Sequence, residues 1–271
     1  MKNVLITGDS GYIGSHLKQM IIKTGKEYNV VGLDLNNADV LVPGTLYKAG
    51  FGDVHWDTII HLAALVKVGE SIDNPSDYFE TNVTGTINVL KYLNCSNFIF
   101  ASTGAAANPN SPYGLSKLMA EIVVQEHVAK KAIDFSIFRF YNVIGQDGFE
   151  PTNPDGLFYN LKKAIQTNQF NLYGTDYDTK DGTCVREYVH VNDICWAIIR
   201  AIEKPANDIE NLAYGDTRTV NEIVDIFMKT NSVDFEVSVK PRRQGDLEAC
   251  YLPNPSRYMV RDYTYEEMLK I

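Results

Sequence analysis

Residues 7–14 read TGDSGYIG, and their setting constrains the fold more than any other stretch of the chain. They follow NVLIT, a short apolar run rich in β-branched residues that reads as a buried strand. They open YIGSHLKQMIIKTG, where Ile13, Leu17, Met20 and Ile21 recur at helical spacing up to Gly25. A strand that turns through Gly8, Gly11 and Gly14 into a helix is the start of a nucleotide-binding βαβ unit. Gly8 permits the tight turn, Gly11 lets backbone approach a pyrophosphate, and Gly14 lets the helix pack on the sheet. The free N–H groups and dipole at the helix start then attract phosphate. Asp34 follows Gly14 by 20 residues, at the end of the next apolar run, YNVVGLD. A carboxylate there accepts both ribose hydroxyls and repels a 2′-phosphate, so the expected cofactor is NAD and not NADP. Asp9 is at odds with this reading, because an acid inside the turn must point away from the phosphates.

The alternation continues along the chain. DTIIHLAA, SNFIFAST and AIDFSIFRFYNVIG read as further strands, with NPSDYFETNVTGTINVLKYL and a segment starting near Tyr113 as helices. This predicts an α/β fold with a doubly wound, parallel Rossmann-type sheet over residues 1–145, shortened after the second strand. After Gly145 the pattern loosens at GFEPTNPDGLF. Residues 146–271 mix helices with short strands and read as a smaller C-terminal α/β substrate domain, from which the chain can return to the sheet. A content of 45% hydrophobic and 22% charged residues in 271 is that of a globular protein. The net charge of −9 argues against nucleic-acid and anionic-membrane partners. No apolar run reaches the length of a membrane span. The N-terminus enters a strand directly, without a cleavable leader pattern. Cys95, Cys184, Cys195 and Cys250 form no CxxC pair and the five histidines no metal-spaced cluster. The expectation is therefore free thiols, no metal and a cytoplasmic location.

In SPYGLSK, Pro112 presets a helix start and places Tyr113 and Lys117 one turn apart on one face. A free phenol titrates near pH 10 and is a poor base at neutral pH. A nearby ammonium favours the phenolate. Lowering its pKa by about three units needs roughly 4 kcal/mol.

The glycine turn, the strand IIHLAA, the polar pair ST ending a later strand, and Tyr-x-x-x-Lys together resemble the extended short-chain dehydrogenase/reductase family. More narrowly, IIHLAALVKVGES, FIFAST, SPYGLSKLMAE, FRFYNVIG, YGTDYDTKDGTCVREYVHVNDI and PRRQGDL are similar to successive blocks of UDP-glucose 4-epimerases. The resemblance covers almost the whole chain, in order. It implies NAD-dependent 4-epimerisation of a UDP-hexose through a transient 4-keto sugar, with Tyr113 as base, Lys117 holding the nicotinamide ribose and Thr103 hydrogen-bonding the 4-oxygen. Around the cofactor it implies Tyr12 and Ile13 beside the glycines, Leu35 and Asn36 beside Asp34, then Leu62, Ala63, Ala64, Asn82, Ser102 and Tyr141. On the substrate side it implies Asn142, Asn160 and Leu161 near the diphosphate and uridine, and Tyr173 against uracil. Arg186 and Arg243 grip the diphosphate, Asp246 the uridine ribose, and Cys250 lies beside the sugar's C2 substituent. A small residue at that last place leaves room for UDP-GlcNAc, unless the ring of Tyr251 fills it. Nucleotide-sugar 4,6-dehydratases carry an Asp-Glu pair just after the Thr. Here Gly104 and Ala105 follow, so that chemistry is excluded.

The resemblance also implies a homodimer formed through paired helices. Here these are the helix after Pro75 and the Tyr113 helix, the latter with Leu118, Ile122, Val123 and Val128. The chain is short for the family. Only about twenty residues separate Asp34 from DTIIHLAA, against roughly 30 for a strand-and-crossover unit, so a helix or two is missing on the adenine side and Asp53 is a weak stand-in for the acid expected there. Val66 replaces a lysine. Two alternatives stay open: a nucleotide-sugar/NAD-binding protein without turnover, and a different NAD-linked nucleotide-sugar epimerase.

Overall fold

The computed structural model describes residues 1–251 and 256–271. β1 (Lys2–Thr7) leads through the glycine turn into α1 (Tyr12–Lys23) and β2 (Tyr28–Leu33). One six-residue helix, α2 (Pro43–Lys48), bridges to β3 (His55–His61). Next come α3 (Val68–Asp73), α4 (Pro75–Phe79), a π-helical turn (Glu80–Thr84) and α5 (Gly85–Tyr92), then β4 (Asn94–Thr103), α6 (Pro112–Lys131) and β5 (Asp134–Phe140). The stretch expected as a single helix from Asn74 is thus two helices joined by a π turn centred on Asn82.

A six-stranded parallel sheet runs β2-β1-β3-β4-β5 and closes with β9 (Ile209–Leu212). The strand order reverses between β1 and β3, and the crevice at such a switch point is where doubly wound sheets bind ligands. Strand β2 is the edge: among the described residues no strand flanks it where a full dinucleotide fold has one, and α2 is the one helix in its crossover. Residue alternation covers both faces. Val4 and Ile6 pack with Leu17, Ile198 and Val191 on one side, while Leu5 packs with Leu46, Phe100 and Val124 on the other. Helices on both faces explain the unbroken apolar runs.

The run expected as one strand after Ile133 breaks at Tyr141. β6 (Asn142–Ile144) leaves the main sheet and pairs with β8 (Val185–His190). The second lobe is built from α7 (Leu157–Thr167), β7 (Gln169–Tyr173), β8, β10 (Thr217–Thr219), α9 (Val220–Asn231), β11 (Glu236–Lys240), β12 (Ala249–Cys250) and α10 (Tyr265–Leu269). It has its own core of Phe158, Leu161, Phe170, Tyr188 and Phe227. Between these elements the chain returns to the first layer, where α8 (Val191–Glu203) packs beside α1 and β9 adds to the sheet. On α6, Val128 is core and Val123 packs partly against it, whereas Leu115, Met119 and Ile122 are exposed. Among the described residues no helix is long and apolar enough to cross a membrane, and no group of three or more His, Cys, Asp or Glu could hold a metal ion.

Candidate active site

The glycine turn sits at the carboxyl end of β1. Gly8 has φ +71°, and a Cβ there would lie 2.8 Å from the Ala63 nitrogen. A Cβ on Gly14 would lie 2.5 Å from the Gly8 carbonyl and 2.7 Å from the Asp9 Cα. Both neighbours are backbone, so the cradle is closed to any side chain, as close approach by a pyrophosphate requires. Gly11 caps α1, whose first turn carries no acidic residue and opens into a cavity of about 880 Å³. Asp34 accepts the Ser10 N–H at 3.0 Å and the Leu35 N–H at 2.8 Å, which holds its carboxylate beside the turn. Asp9 does point away: its carboxylate pairs with Lys18 at 2.5 Å and lies over Gly32, where a Cβ would meet Oδ2 at 2.0 Å. Donor set, dipole and acid fit a dinucleotide.

Gly8, Gly11, Tyr12, Ile13, Gly14, Leu62, Ala64, Ser102 and Tyr141 line the cavity. Asp34, Leu35 and Asn36 lie outside its lining, on the edge left bare by the missing strand, and Leu35 is 78% exposed. Ala63 lies beneath Gly8 and not in the lining. Asn82 does not reach the cavity either. It accepts the Leu65 N–H at 2.9 Å and donates to the Leu65 carbonyl and the Ser116 hydroxyl, both at 3.0 Å. It pins the loop that carries Leu62 and Ala64 against α6. Asp53 is exposed and remote from the cavity.

Thr103 ends β4, and Tyr113 and Lys117 lie on the first turns of α6, all three lining the cavity. Ser111 caps α6 by accepting the Gly114 N–H at 3.2 Å, with Pro112 next. Burial pushes the Tyr113 phenol above its ordinary value, and the Thr103 hydroxyl works in the opposite direction. Burial likewise lowers Lys117 to about 7, opposed by Glu121. The Lys117 ammonium sits 4.2 Å from the centre of the Phe100 ring. The spacing points to an ammonium that, together with a positive nicotinamide ring, pulls the phenol down. Among the protein's own groups, desolvation is the largest influence on both side chains, because both are taken out of water together. Sequence reasoning passed over the layer underneath. Glu121, 1% exposed, accepts Arg139 Nε at 2.9 Å and Nη2 at 2.6 Å, and also the Ser102 hydroxyl. Ser102, expected at the cofactor, therefore spends its hydroxyl proton on Glu121. An acid in register one turn beyond Lys117 was the available signal.

Across the cavity stand Asn142, Asn160, Tyr173, Arg186, Arg243, Asp246 and Cys250. Arg186 donates to the Val185 and Glu248 carbonyls at 2.9 and 3.3 Å and lies 3.9 Å from Asp246. The Arg243 guanidinium stacks 4.0 Å over Tyr173 and donates to the Asp155 carbonyl at 3.2 Å. Asn160 and Asn142 donate to carbonyls of Pro154 and Glu187 at 2.7 and 3.1 Å. Leu161 is fully buried in the second core, and its side chain contributes to packing only. Tyr251 is half-exposed and lies outside the cavity lining, whereas Cys250 lines it.

Residues 4–214 match the NAD dependent epimerase/dehydratase family. A UDP-glucose 4-epimerase of Haemophilus influenzae is 30% identical over 299 aligned positions, covering 92% of this chain and 88% of its own. That span exceeds the 271 residues of this chain, so the relative carries insertions. The crystal structure of UDP-glucose 4-epimerase from Bifidobacterium longum in complex with NAD+ and UDP superposes with a TM-score of 0.88 at 26% identity, covering 98% of this chain and 96% of its own. The UDP-Glc/GlcNAc 4-epimerase from Campylobacter jejuni gives 0.79 at 26% identity, covering 99% and 97%. Together with the glycine cradle and the Thr103, Tyr113 and Lys117 cluster, these likenesses mean that the chain belongs to the NAD dependent epimerase/dehydratase family.

Proposed function

We propose that the chain catalyses NAD-dependent 4-epimerisation of a UDP-hexose, interconverting UDP-glucose and UDP-galactose through a transient 4-keto sugar. The observation that carries this reading is the single cavity that joins the glycine cradle, the Thr103, Tyr113 and Lys117 cluster and the two arginines of the second lobe. Bound dinucleotide supplies the hydride acceptor and a positive charge beside Tyr113. Tyr113 Oη takes the proton of the sugar 4-hydroxyl, with Thr103 Oγ1 bridging the two oxygens. Lys117 holds the nicotinamide ribose and biases Tyr113 toward phenolate when both are in place. Arg186 and Arg243 bind the diphosphate, which suits an acidic chain that must hold an anion locally. Tyr173, already stacked under Arg243, offers its ring to the uracil. Asp246 meets the uridine ribose. Asn142 and Asn160 complete the nucleotide contacts.

Cys250, a small residue, lines the cavity where the resemblance places the sugar's C2 substituent, so the pocket accepts a 2-acetamido group and UDP-GlcNAc is a substrate. The protein is a cytoplasmic homodimer. The exposed apolar stripe of Leu115, Met119 and Ile122 on α6, continued by Ile87 on α5, is its interface, and a light-scattering mass of one chain at micromolar concentration would exclude it. The test of the function is a proton NMR time course of UDP-galactose with purified protein and NAD+. UDP-glucose is the expected product, and a folded protein that yields none overturns the reading.

A further inference from the structure

The Glu121–Arg139 ion pair has no part in the steps above. Glu121 lies one turn after Lys117 on the same face of α6, and the two side chains are 1% and 3% exposed. A carboxylate so buried is held only when its oxygens are satisfied. Both are: Oε1 accepts the Ser102 hydroxyl and Arg139 Nε, and Oε2 accepts Arg139 Nη2. Ser102 comes from β4, next to Thr103, and Arg139 from β5, so the charge is fixed by two strands and cannot follow a moving partner. The groups facing Lys117 itself are His61 on β3, neutral and tied to Thr7 and Thr86, and the Phe100 ring. Among the described residues, Glu121 is the carboxylate whose charge favours the protonated form of Lys117. Arg139 holds that carboxylate through two N–H groups, with Tyr141 also close to its guanidinium.

We infer that Glu121 is a positioning residue for the reaction: held by Arg139 and Ser102, it fixes a buried negative charge one helical turn from Lys117 and ties the Thr103 strand to the Tyr113 helix. This rests on the epimerase reading for its purpose, although the charge coupling stands without it. A purely structural staple between α6 and β5 uses the same hydrogen bonds but leaves the protonation of Lys117 unchanged, and that separates the two roles. Burial lowers the Lys117 amine, and the Glu121 carboxylate opposes that shift. Removing the carboxylate's charge while keeping its shape takes away the opposing term and leaves Arg139 as an unneutralised cation nearby.

The experiment follows the side-chain signals of isotope-labelled lysine by NMR across pH in the protein without substrate, with Lys117 assigned by its loss in Lys117→Met. In Glu121→Gln the Lys117 midpoint falls by about one pH unit or more, a tenfold loss of ammonium at fixed pH. Glu121→Asp retains part of the wild-type midpoint. An unchanged midpoint in folded Glu121→Gln overturns the inference. If Glu121→Gln does not fold, Arg139→Gln carries the test with the opposite sign: the midpoint rises because Lys117 becomes the carboxylate's only cation, and a midpoint that stays put overturns the inference. Wild-type turnover of UDP-galactose, measured separately, tests the reading on which the purpose rests.

Discussion

Substituting Gly8 by alanine separates two costs that the glycine cradle combines. The first is conformational: at φ +71° an L side chain costs about 1–2 kcal/mol. The second is contact: the new Cβ would meet the Ala63 nitrogen at 2.8 Å and the Ala63 Cα and Leu62 carbonyl carbon at 3.0 Å. All three are backbone at the end of β3, so the strand end itself must move, at a further cost of about 1–3 kcal/mol. Gly25 provides the control, with φ +66° and nothing within 4 Å of an added Cβ. Gly25→Ala incurs the first cost alone, reduced by the entropy the unfolded chain loses, about 0.4–1 kcal/mol. At about 2–4 °C per kcal/mol for a chain of this size, Gly8→Ala lowers the melting temperature by roughly 5–10 °C and Gly25→Ala by about 2–3 °C. Displacing Leu62 and Ala63 also deforms the floor of the cleft, so Gly8→Ala loses NAD+ affinity by more than about tenfold while Gly25→Ala keeps it. Thermal melts and calorimetric NAD+ titrations read both effects. Equal melting temperatures for the two variants, or wild-type NAD+ affinity in Gly8→Ala, would refute the close-approach argument.

Tyr113→Phe keeps the ring and removes the base, so turnover falls by about 10²–10⁴ while NAD+ binding persists; retention of more than a tenth of wild-type rate in a steady-state assay contradicts the assignment. Cys250→Tyr fills the C2 side of the pocket and selectively suppresses UDP-GlcNAc turnover relative to UDP-glucose, and an unchanged ratio of the two rates counts against the open pocket. Because Asp34, Leu35 and Asn36 stand on a bare edge, NAD+ leaves on dialysis and activity returns on adding it back; stoichiometric NAD surviving dialysis contradicts this. His61 is buried between Thr7 and Thr86 and lowered to about 3 by burial. The unfolded state therefore binds the extra proton between that value and the ordinary 6.5, so its contribution is complete above about 6.5 and fades as pH falls toward 3, by on the order of 5 kcal/mol in total. His61→Gln flattens the urea-unfolding free energy against pH over that window, and identical slopes in the two proteins count against it.

The elements legible in the sequence are those specified by local pattern. The glycine spacing, the cap and proline ahead of Tyr113 and the acid at Asp34 each act within one turn or strand end. What pattern could not give depends on which strands become neighbours. Arg139 reaches Glu121 only because β5 lies beside β4 under α6. Asn82 serves the Leu65 loop and not the cavity because a π turn rotates it inward, and periodicity treats that turn as ordinary helix. Leu161 sits next to a cavity residue, yet one step round α7 places it wholly in the second core. The orientation of Asp9 depended on Gly32, on another strand, having no side chain to block it. The burial that Tyr113 and Lys117 share was equally illegible, since placing a phenol and an ammonium one turn apart says nothing about how far both are taken out of water.

The central claim is that one carbon is oxidised and reduced again inside a single cavity, with Tyr113 moving only the hydroxyl proton. UDP-galactose carrying deuterium at C4, incubated in ordinary water with the protein and NAD+, tests it most directly. The account predicts UDP-glucose that keeps the deuterium at C4, read by NMR and mass spectrometry. Formation of UDP-glucose with the label lost to solvent, or no UDP-glucose from folded protein, would contradict it.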